Sequence, residues 1–462
     1  MVPILYPKNM FQFRPKIFVL LSFILIFQSC SKSEDNKTTV TPTPIKTNFV
    51  PAATADIVMY EINPQAFSST KNIQGIINRL DNIKALGINT IWIMPIHPVG
   101  IVNSFGSPYC VKNYMDVKSS FGTLSDLKIL VEQAHTRKIA VILDWVANHT
   151  AWDNQWIYDH PNWYTKNASG QIISPAGTNW NDVADLDFSN QSMRLAMIDA
   201  MKYWVVNANI DGFRCDAADY VPYDFWLQAN TALKAIPNKN LILLAEGSRA
   251  DHFSAGFQIN FAWDYLGTIK NVFGANTSSV TNLFTTNTSE YNSVPIGKQK
   301  LRFTTNHDES NIASPISVYG SKNGALAASV ITTFLKGVPL LYCGQEVGVS
   351  STAVYNGANT IDWSVNNDML LAYQNMMAFY NASATARYGN LTTFPTNTNV
   401  AIFQKSTTSE QVLFLVNARN TAQTVTIAAT LQGNWNNALT GEAVTLSGSL
   451  ALTGFQYMIL KK

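Results

Sequence analysis

From about residue 55 onwards, apolar runs of strand length alternate with stretches of helical periodicity, and this alternation constrains the fold more than any other feature of the chain. DIVMYEI, INTIWIMPI, KIAVILDWV, ANIDGFRCD, NLILLAE, FQINFAWDY, LRFTTN and GVPLLYCG make eight such runs. Between them lie amphipathic stretches such as IQGIINRLDNIKALG and LSDLKILVEQAHTRK, whose apolar residues recur at helical spacing. Parallel strands need a crossover between them, so eight strand-and-helix units predict an α/β chain built on a (β/α)8 barrel, here over residues 53–389. The step from Asp144 to Asp216 is 72 residues, longer than one unit needs. An inserted lobe, from about Thr150 to Ser192 and rich in Trp, Asn, Asp and Gly, is therefore expected after the third strand, beside the barrel mouth. After residue 390 the pattern changes. VAIFQKS, QVLFLVNA, QTVTIAA, AVTLSG and FQYMILKK are separated by Gly, Asn and Thr turns without helical stretches, which predicts a C-terminal antiparallel β-sandwich domain over 390–462.

Three acidic residues stand at the ends of these runs: Asp216 after GFRC, Glu246 after LILLA and Asp308 after FTTNH. Their steps of 30 and 62 residues correspond to one and then two barrel units. A barrel gathers its strand ends at one mouth, where carboxylates from different strands can flank a single bond and act as nucleophile and acid. Any one of them read alone would be a solvated or ion-paired acid; the shared strand-end context favours chemistry.

At 462 residues the chain exceeds what one core usually supports, in keeping with a barrel plus a smaller domain. A formal net charge of +2 gives no footprint for nucleic acid and fits a small or neutral substrate. Eleven Trp and eighteen Tyr against 13% charged residues suit stacking on the apolar faces of sugars, although core packing accounts for many of them equally well. At the N-terminus, Lys8, Arg14 and Lys16 precede an apolar stretch, Ile17 to Phe27, too short for a comfortable membrane span and laid out like a signal peptide. Residues 31–52 are too polar and Pro-rich to bury a core and read as a tether. Cys30 stands between the two, where bacterial lipoprotein signals place the lipid-modified Cys, although Phe27 and Gln28 depart from the usual small residues before it. The expectation is an exported protein, lipid-anchored to the cell envelope, at the outer membrane or in the periplasm, with the lipid its sole tie to a membrane. Lipidation would leave Cys110, Cys215 and Cys343, an odd set that argues against a disulfide framework.

Taken together, DWVANHT, GFRCDAAD, LLAEGS and FTTNHD resemble, in order, the four conserved regions of the α-amylase family of glycoside hydrolases (family 13), and DVADLDF and GVPLLYCGQE resemble its auxiliary segments. The resemblance implies a retaining hydrolase of α-1,4-glucosidic bonds in starch or malto-oligosaccharides. It makes Asp216 the nucleophile, Glu246 the general acid and base, and Asp308 the carboxylate that holds sugar hydroxyls. It further implies that His149, His307 and Tyr109 bind the sugar under attack and that Asp144 supports the site. Arg214 lies two residues before Asp216, on the same strand face, and is expected to keep the nucleophile ionised, whereas burial behind Ala245 is expected to raise Glu246. No cofactor is needed for the chemistry. A structural calcium ion is implied at Asn148, with Asp153, Asp182, Asp185 and Asp187 of the lobe as candidate ligands that would serve equally well as turn formers and caps. Asp219 and Tyr220 stand where many members place Lys and His on the leaving-group side, which leaves open an oligosaccharide-specific α-glucosidase or a glucanotransferase. A non-catalytic starch-binding lipoprotein is the alternative of another class. An anchored member would work beside other surface glucan-uptake proteins.

Overall fold

The computed structural model describes residues 49–349 and 359–462. The signal segment, Cys30 and nearly all of the tether lie outside the described residues. Eight strands occupy the eight apolar runs: β1 (Met59–Ile62), β2 (Thr90–Ile93), β3 (Ala140–Trp145), β4 (Gly212–Cys215), β5 (Ile242–Ala245), β6 (Ile259–Phe261), β7 (Gln299–Arg302) and β8 (Val338–Tyr342). Each pairs in parallel with its sequence neighbours, and β8 closes on β1, so the barrel follows chain order. Helices cover the outside and water is excluded inside, which is why these strands read as continuous apolar runs. Gly212 starts β4 at φ 146°, and a Cβ there would lie 1.9 Å from the carbonyl oxygen of Ile242. Only glycine lets β4 and β5 approach this closely.

Register then places the chemistry. Asp144 pairs with Arg214 across β3 and β4, and Cys215 pairs with Ala245 across β4 and β5. One residue further on, Asp216 and Glu246 leave the barrel at the same level, and since side chains alternate along a strand, Arg214 shares the face of Asp216.

The expected single helix after β1 is two, Ile73–Ile77 and Leu80–Ala85, the first started by the Asn72 side chain accepting the Gly75 N–H. The helix after β2, Leu124–Thr136, opens on a capping box between Thr123 and Asp126. The inserted lobe is small. Its two short strands, His149–Ala151 and Val183–Asp185, pair antiparallel with His149 opposite Asp185, and a short α-helix, Gln155–Asp159, and a 3-10 turn, Pro161–Trp163, lie between them. The lobe ends earlier than expected, because Gln191 and Ser192 already belong to the crossover helix Gln191–Asn207.

The C-terminal domain holds β9 (Asn390–Thr393), β10 (Val400–Ser406), β11 (Gln411–Asn417), β12 (Gln423–Thr426), β13 (Gly433–Asn437), β14 (Ala443–Leu446), β15 (Ser449–Leu452) and β16 (Tyr457–Lys461). The larger sheet runs β9-β10-β11-β16-β13-β14, and β12 pairs with β15 beyond it. Alternation of polar and apolar residues fails along β10 and β11, which are buried on both faces. Ala401, Phe403, Val412 and Phe414 join the barrel core, while Val400, Ile402, Leu413 and Leu415 form the domain's own core with Val425 and Leu452. Cys110, Cys215 and Cys343 are buried free thiols, as the odd count suggested.

Candidate active site

At the carboxyl end of the barrel one guanidinium organises three carboxylates. Arg214 is fully buried, and its Nη1 donates to Asp144 Oδ1 at 2.7 Å and to Asp216 Oδ1 at 2.8 Å. Nη2 lies 2.8 Å from Glu246 Oε1, a close ion pair whose angle is too poor for a hydrogen bond, so Nη2 has charge contact without an aligned acceptor. The guanidinium also sits 4.8 Å over the ring of Trp92. Glu246 Oε2 accepts the Ala217 N–H at 2.7 Å. Ala217 holds φ at +45°, a conformation costly for a residue with a Cβ, and this turn directly after Asp216 aims its amide at Glu246.

A second chain of contacts approaches from the opposite wall. Glu61, the penultimate residue of β1, is fully buried and accepts from His307 Nδ1 at 2.5 Å. His307 Nε2 lies 2.8 Å from the Tyr109 hydroxyl, and that hydroxyl donates to Asp144 Oδ2 at 3.2 Å. Asp144 Oδ2 also takes the Trp92 indole N–H at 3.0 Å. The network thus runs from β1 through His307, Tyr109 and Asp144 to Arg214 and the two carboxylates beyond it. Asp308 follows His307, with Oδ1 3.4 Å from His307 Nε2 and its carboxyl 42% exposed to the cleft. His149 lines the same cleft from the edge of the lobe. The cleft has a volume of about 540 Å³, with Asp216, Glu246 and Asp308 among its lining residues and rings of Phe105, Trp180, Tyr220 and Trp263 in its walls.

Burial, followed by the field of Asp308 and of Glu61, sets the state of His307: burial disfavours its charge, but the two acids outweigh it and push its pKa up to about 9. Carrying protons on both nitrogens, it can donate to Glu61 and to Tyr109 together. His149 is the opposite case, pushed down to about 4 by burial and therefore neutral. The expectation for Asp216 is reversed. Burial first, then the carboxylates of Glu246 and Asp144, raise Asp216 well above the usual range against the pull of Arg214. One cation cannot offset the desolvation of an acid whose neighbours are also acids. Glu246 is partly buried and meets a donor or a cation at each oxygen.

With this geometry in view, the α-amylase catalytic-domain family matches residues 61–169 and 158–390. The chain belongs to the α-amylase family of glycoside hydrolases. It is 27% identical over 334 residues to alpha-amylase 3 of Dictyoglomus thermophilum, the match covering 64% of this chain and 64% of that relative, so it spans less than two-thirds of the relative's length. Among solved structures, an α-amylase from Lactobacillus plantarum superposes with a TM-score of 0.80 at 27% identity over 88% of this chain and 99% of that one. A noncanonic maltogenic α-amylase from Thermotoga neapolitana superposes with a TM-score of 0.79 at 26% identity over the same shares.

Of the site residues expected from the sequence, Asp144, Tyr109, Arg214, Asp216, Glu246, His307 and Asp308 form one connected constellation, and His149 borders it. The calcium expectation fares differently. Asp153 Oδ2 is spent on Lys112 Nζ at 2.9 Å and on the Ile101 N–H, Asp187 caps the Ser189 N–H, and Asp185 hydrogen-bonds Thr165. Asn148 turns its amide towards His149 Nδ1. Among the described residues no three acids, histidines or thiols gather to hold a metal ion. Glu61 and Trp92 are network members not anticipated from sequence. Glu61 stands inside the apolar run DIVMYEI, one residue before its end, and so lacks the strand-end signal of Asp216; Trp92 carries none, because a Trp inside a strand reads as core.

Proposed function

We propose that the protein is a retaining, endo-acting hydrolase of α-1,4-glucosidic bonds in starch and malto-oligosaccharides. The observation that carries this reading is the single buried guanidinium joining Asp216, Glu246 and Asp144 on the floor of a ring-walled cleft. A shared guanidinium suits the separation of about 5–5.5 Å between nucleophile and acid in retaining enzymes. Asp216 attacks the anomeric carbon as the bond to the leaving oxygen breaks, and Glu246 gives that oxygen its proton. The carboxylate of Glu246 then takes a proton from water, which displaces Asp216 and restores the first configuration. For these roles the sugar must draw Glu246 away from Arg214, leaving Arg214 to stabilise Asp216 as a carboxylate. Asp308, His307 and His149 hold the sugar hydroxyls and Tyr109 lies under the ring. No step uses a cofactor.

Turnover of soluble starch, maltoheptaose and a chromogenic maltoside tests the reading, with proton NMR following the first product anomers. Internal cleavage with α anomers formed first is expected. First-formed β anomers, or no turnover of any of the three, would overturn it, and a single terminal glucose per event would favour an α-glucosidase. For the N-terminus we propose lipidation of Cys30 after export. Cys30→Ala should abolish acyl labelling and membrane retention, and a wild-type chain cleaved elsewhere without lipid would refute the anchor.

A further inference from the structure

At the amino end of the barrel, opposite the mouth, a cavity of about 350 Å³ opens where the barrel meets the C-terminal domain. From the barrel, Gln299 at the start of β7 and Lys336 and Gly337 before β8 line it. From the other side come Arg387, in the short helix Ala384–Tyr388 that leads into β9, and Lys405 of β10. Three of the lining side chains are therefore cations, Lys336, Arg387 and Lys405, and none of the described lining residues is Asp or Glu.

Lys405 is the most deeply placed of the three. It is 3% exposed, and its Nζ donates to the carbonyls of Ala386 at 2.8 Å and Arg387 at 3.1 Å, so two of its three hydrogens go to neutral acceptors. Burial and then the charge of Lys336 push its pKa down to about 7, and no acid pulls it back. Arg387 spends Nη1 on the carbonyls of Tyr380 and Asn381, while its Nε is buried without an aligned acceptor, 3.4 Å from Asp56 Oδ1. Lys336 rests its Nζ 3.8 Å from the centre of the Tyr291 ring. Among the described residues Asp56, itself 41% exposed, is the one carboxylate in ion-pair contact with any of the three cations. Buried charge is costly unless it is paired, and these three positive groups meet a single half-exposed negative one. An anion with several acceptor oxygens would offset the excess and take hydrogen bonds from the ammonium and the guanidinium together.

We propose that this cavity is a binding site for a doubly charged oxyanion, a phosphate or sulfate group either free or carried on a small molecule, which clamps the C-terminal domain to the barrel. The site is independent of the hydrolase reading, because it lies at the far end of the barrel from Asp216. Bound there, the anion would bridge Lys336 of the barrel to Arg387 and Lys405 of the C-terminal side, so its binding energy adds to the stability of the folded chain.

The test uses the whole protein and follows its melting temperature as sulfate is added, with chloride at equal ionic strength as the control. A saturable rise of about 2 °C at ten times the half-saturating concentration is expected with sulfate and none with chloride. Salts excluded from the protein surface also stabilise, but without saturation and without regard to single residues. Lys405→Met should abolish the saturable rise. Lys336→Gln, on an exposed side chain whose loss the fold tolerates, should raise the half-saturating concentration about tenfold, the scale of one charge-assisted hydrogen bond. Inorganic phosphate and glucose 6-phosphate then separate the sources: tighter binding of the sugar phosphate assigns the site to an organic phosphate, and tighter binding of the inorganic ion to the free anion. No saturable rise with any of the three anions would overturn the proposal. An equal rise in wild type and Lys336→Gln would do the same, whether or not Lys405→Met folds.

Discussion

The barrel mouth and the seam between barrel and C-terminal domain are buried to the same degree and built from opposite chemistry. At the mouth, Glu61, Asp144, Arg214 and His307 are all at or below 2% exposure, with Asp216 beside them, so acids outnumber the cations that offset them. At the seam, Phe414 stacks on Phe403 with centroids 4.6 Å apart and meets Phe334 of the helix Lys322–Phe334 at 4.8 Å, all fully buried. Burying rings is favourable at roughly 25 cal/mol per Å² of apolar surface. Burying charges is costly, and pairing recovers only part of the loss. The seam therefore supplies stability, and the mouth spends it on a poised set of carboxylates.

The largest effect that separates the two regions is catalytic. Asp216→Asn and Glu246→Gln should each lower kcat by about 10⁴ or more while the melting temperature stays level or rises, since each removes an acid from a crowded set. A melting temperature that fell as far as a seam variant's would erase the distinction. Phe414→Ala is the converse experiment. It should cost about 3–5 kcal/mol in denaturant unfolding, while kcat of the folded enzyme remains within a factor of two or so of wild type.

A third experiment sharpens the comparison through pH. The folded-state pKa of His307, about 9, lies above the ordinary histidine value of 6.5, so its stabilising contribution is complete below 6.5 and is lost as pH rises through about 9. Lys405, a buried residue of β10 pushed down to about 7 by desolvation and then by Lys336, works in the opposite sense, because its burial penalty declines as pH climbs above 7. The readout is therefore the difference between wild type and His307→Gln across pH 6 to 10. That difference should shrink towards the alkaline end, and a constant one would show that His307 is not held charged by Asp308 and Glu61. The smallest effect concerns the lobe. Lys112→Met breaks an ion pair whose Lys is 44% exposed and should cost at most about 1 kcal/mol, and a chelator should leave the melting temperature unchanged. A clear loss on chelation would restore the calcium expectation.

Most of the barrel was legible because it is local. A strand buried on both faces must be a run of apolar residues, and the acids that end such runs are visible against them. In the C-terminal domain, β9, β13 and β15 were not anticipated; NLTT and GNWNN are too polar to register as strands, and Trp435 is the one fully buried ring of β13. The division of the helix after β1 and the early end of the lobe also escaped, since boundaries depend on caps and neighbours rather than on period. Glu61 escaped because it stands inside an apolar run and not after one.

Spacing and residue type by themselves determined the eight strands, the level at which Asp216 and Glu246 leave the barrel, and the face that Arg214 shares with Asp216. Those follow from a period of two along a strand and from the closure of a parallel sheet in chain order. The tertiary structure alone decided that one guanidinium serves three acids, that His307 is held charged, that burial raises Asp216, and that Asp153 of the lobe pairs with Lys112. Such properties depend on which groups exclude water from one another, and residues as far apart as Glu61 and His307 meet only when the barrel has closed.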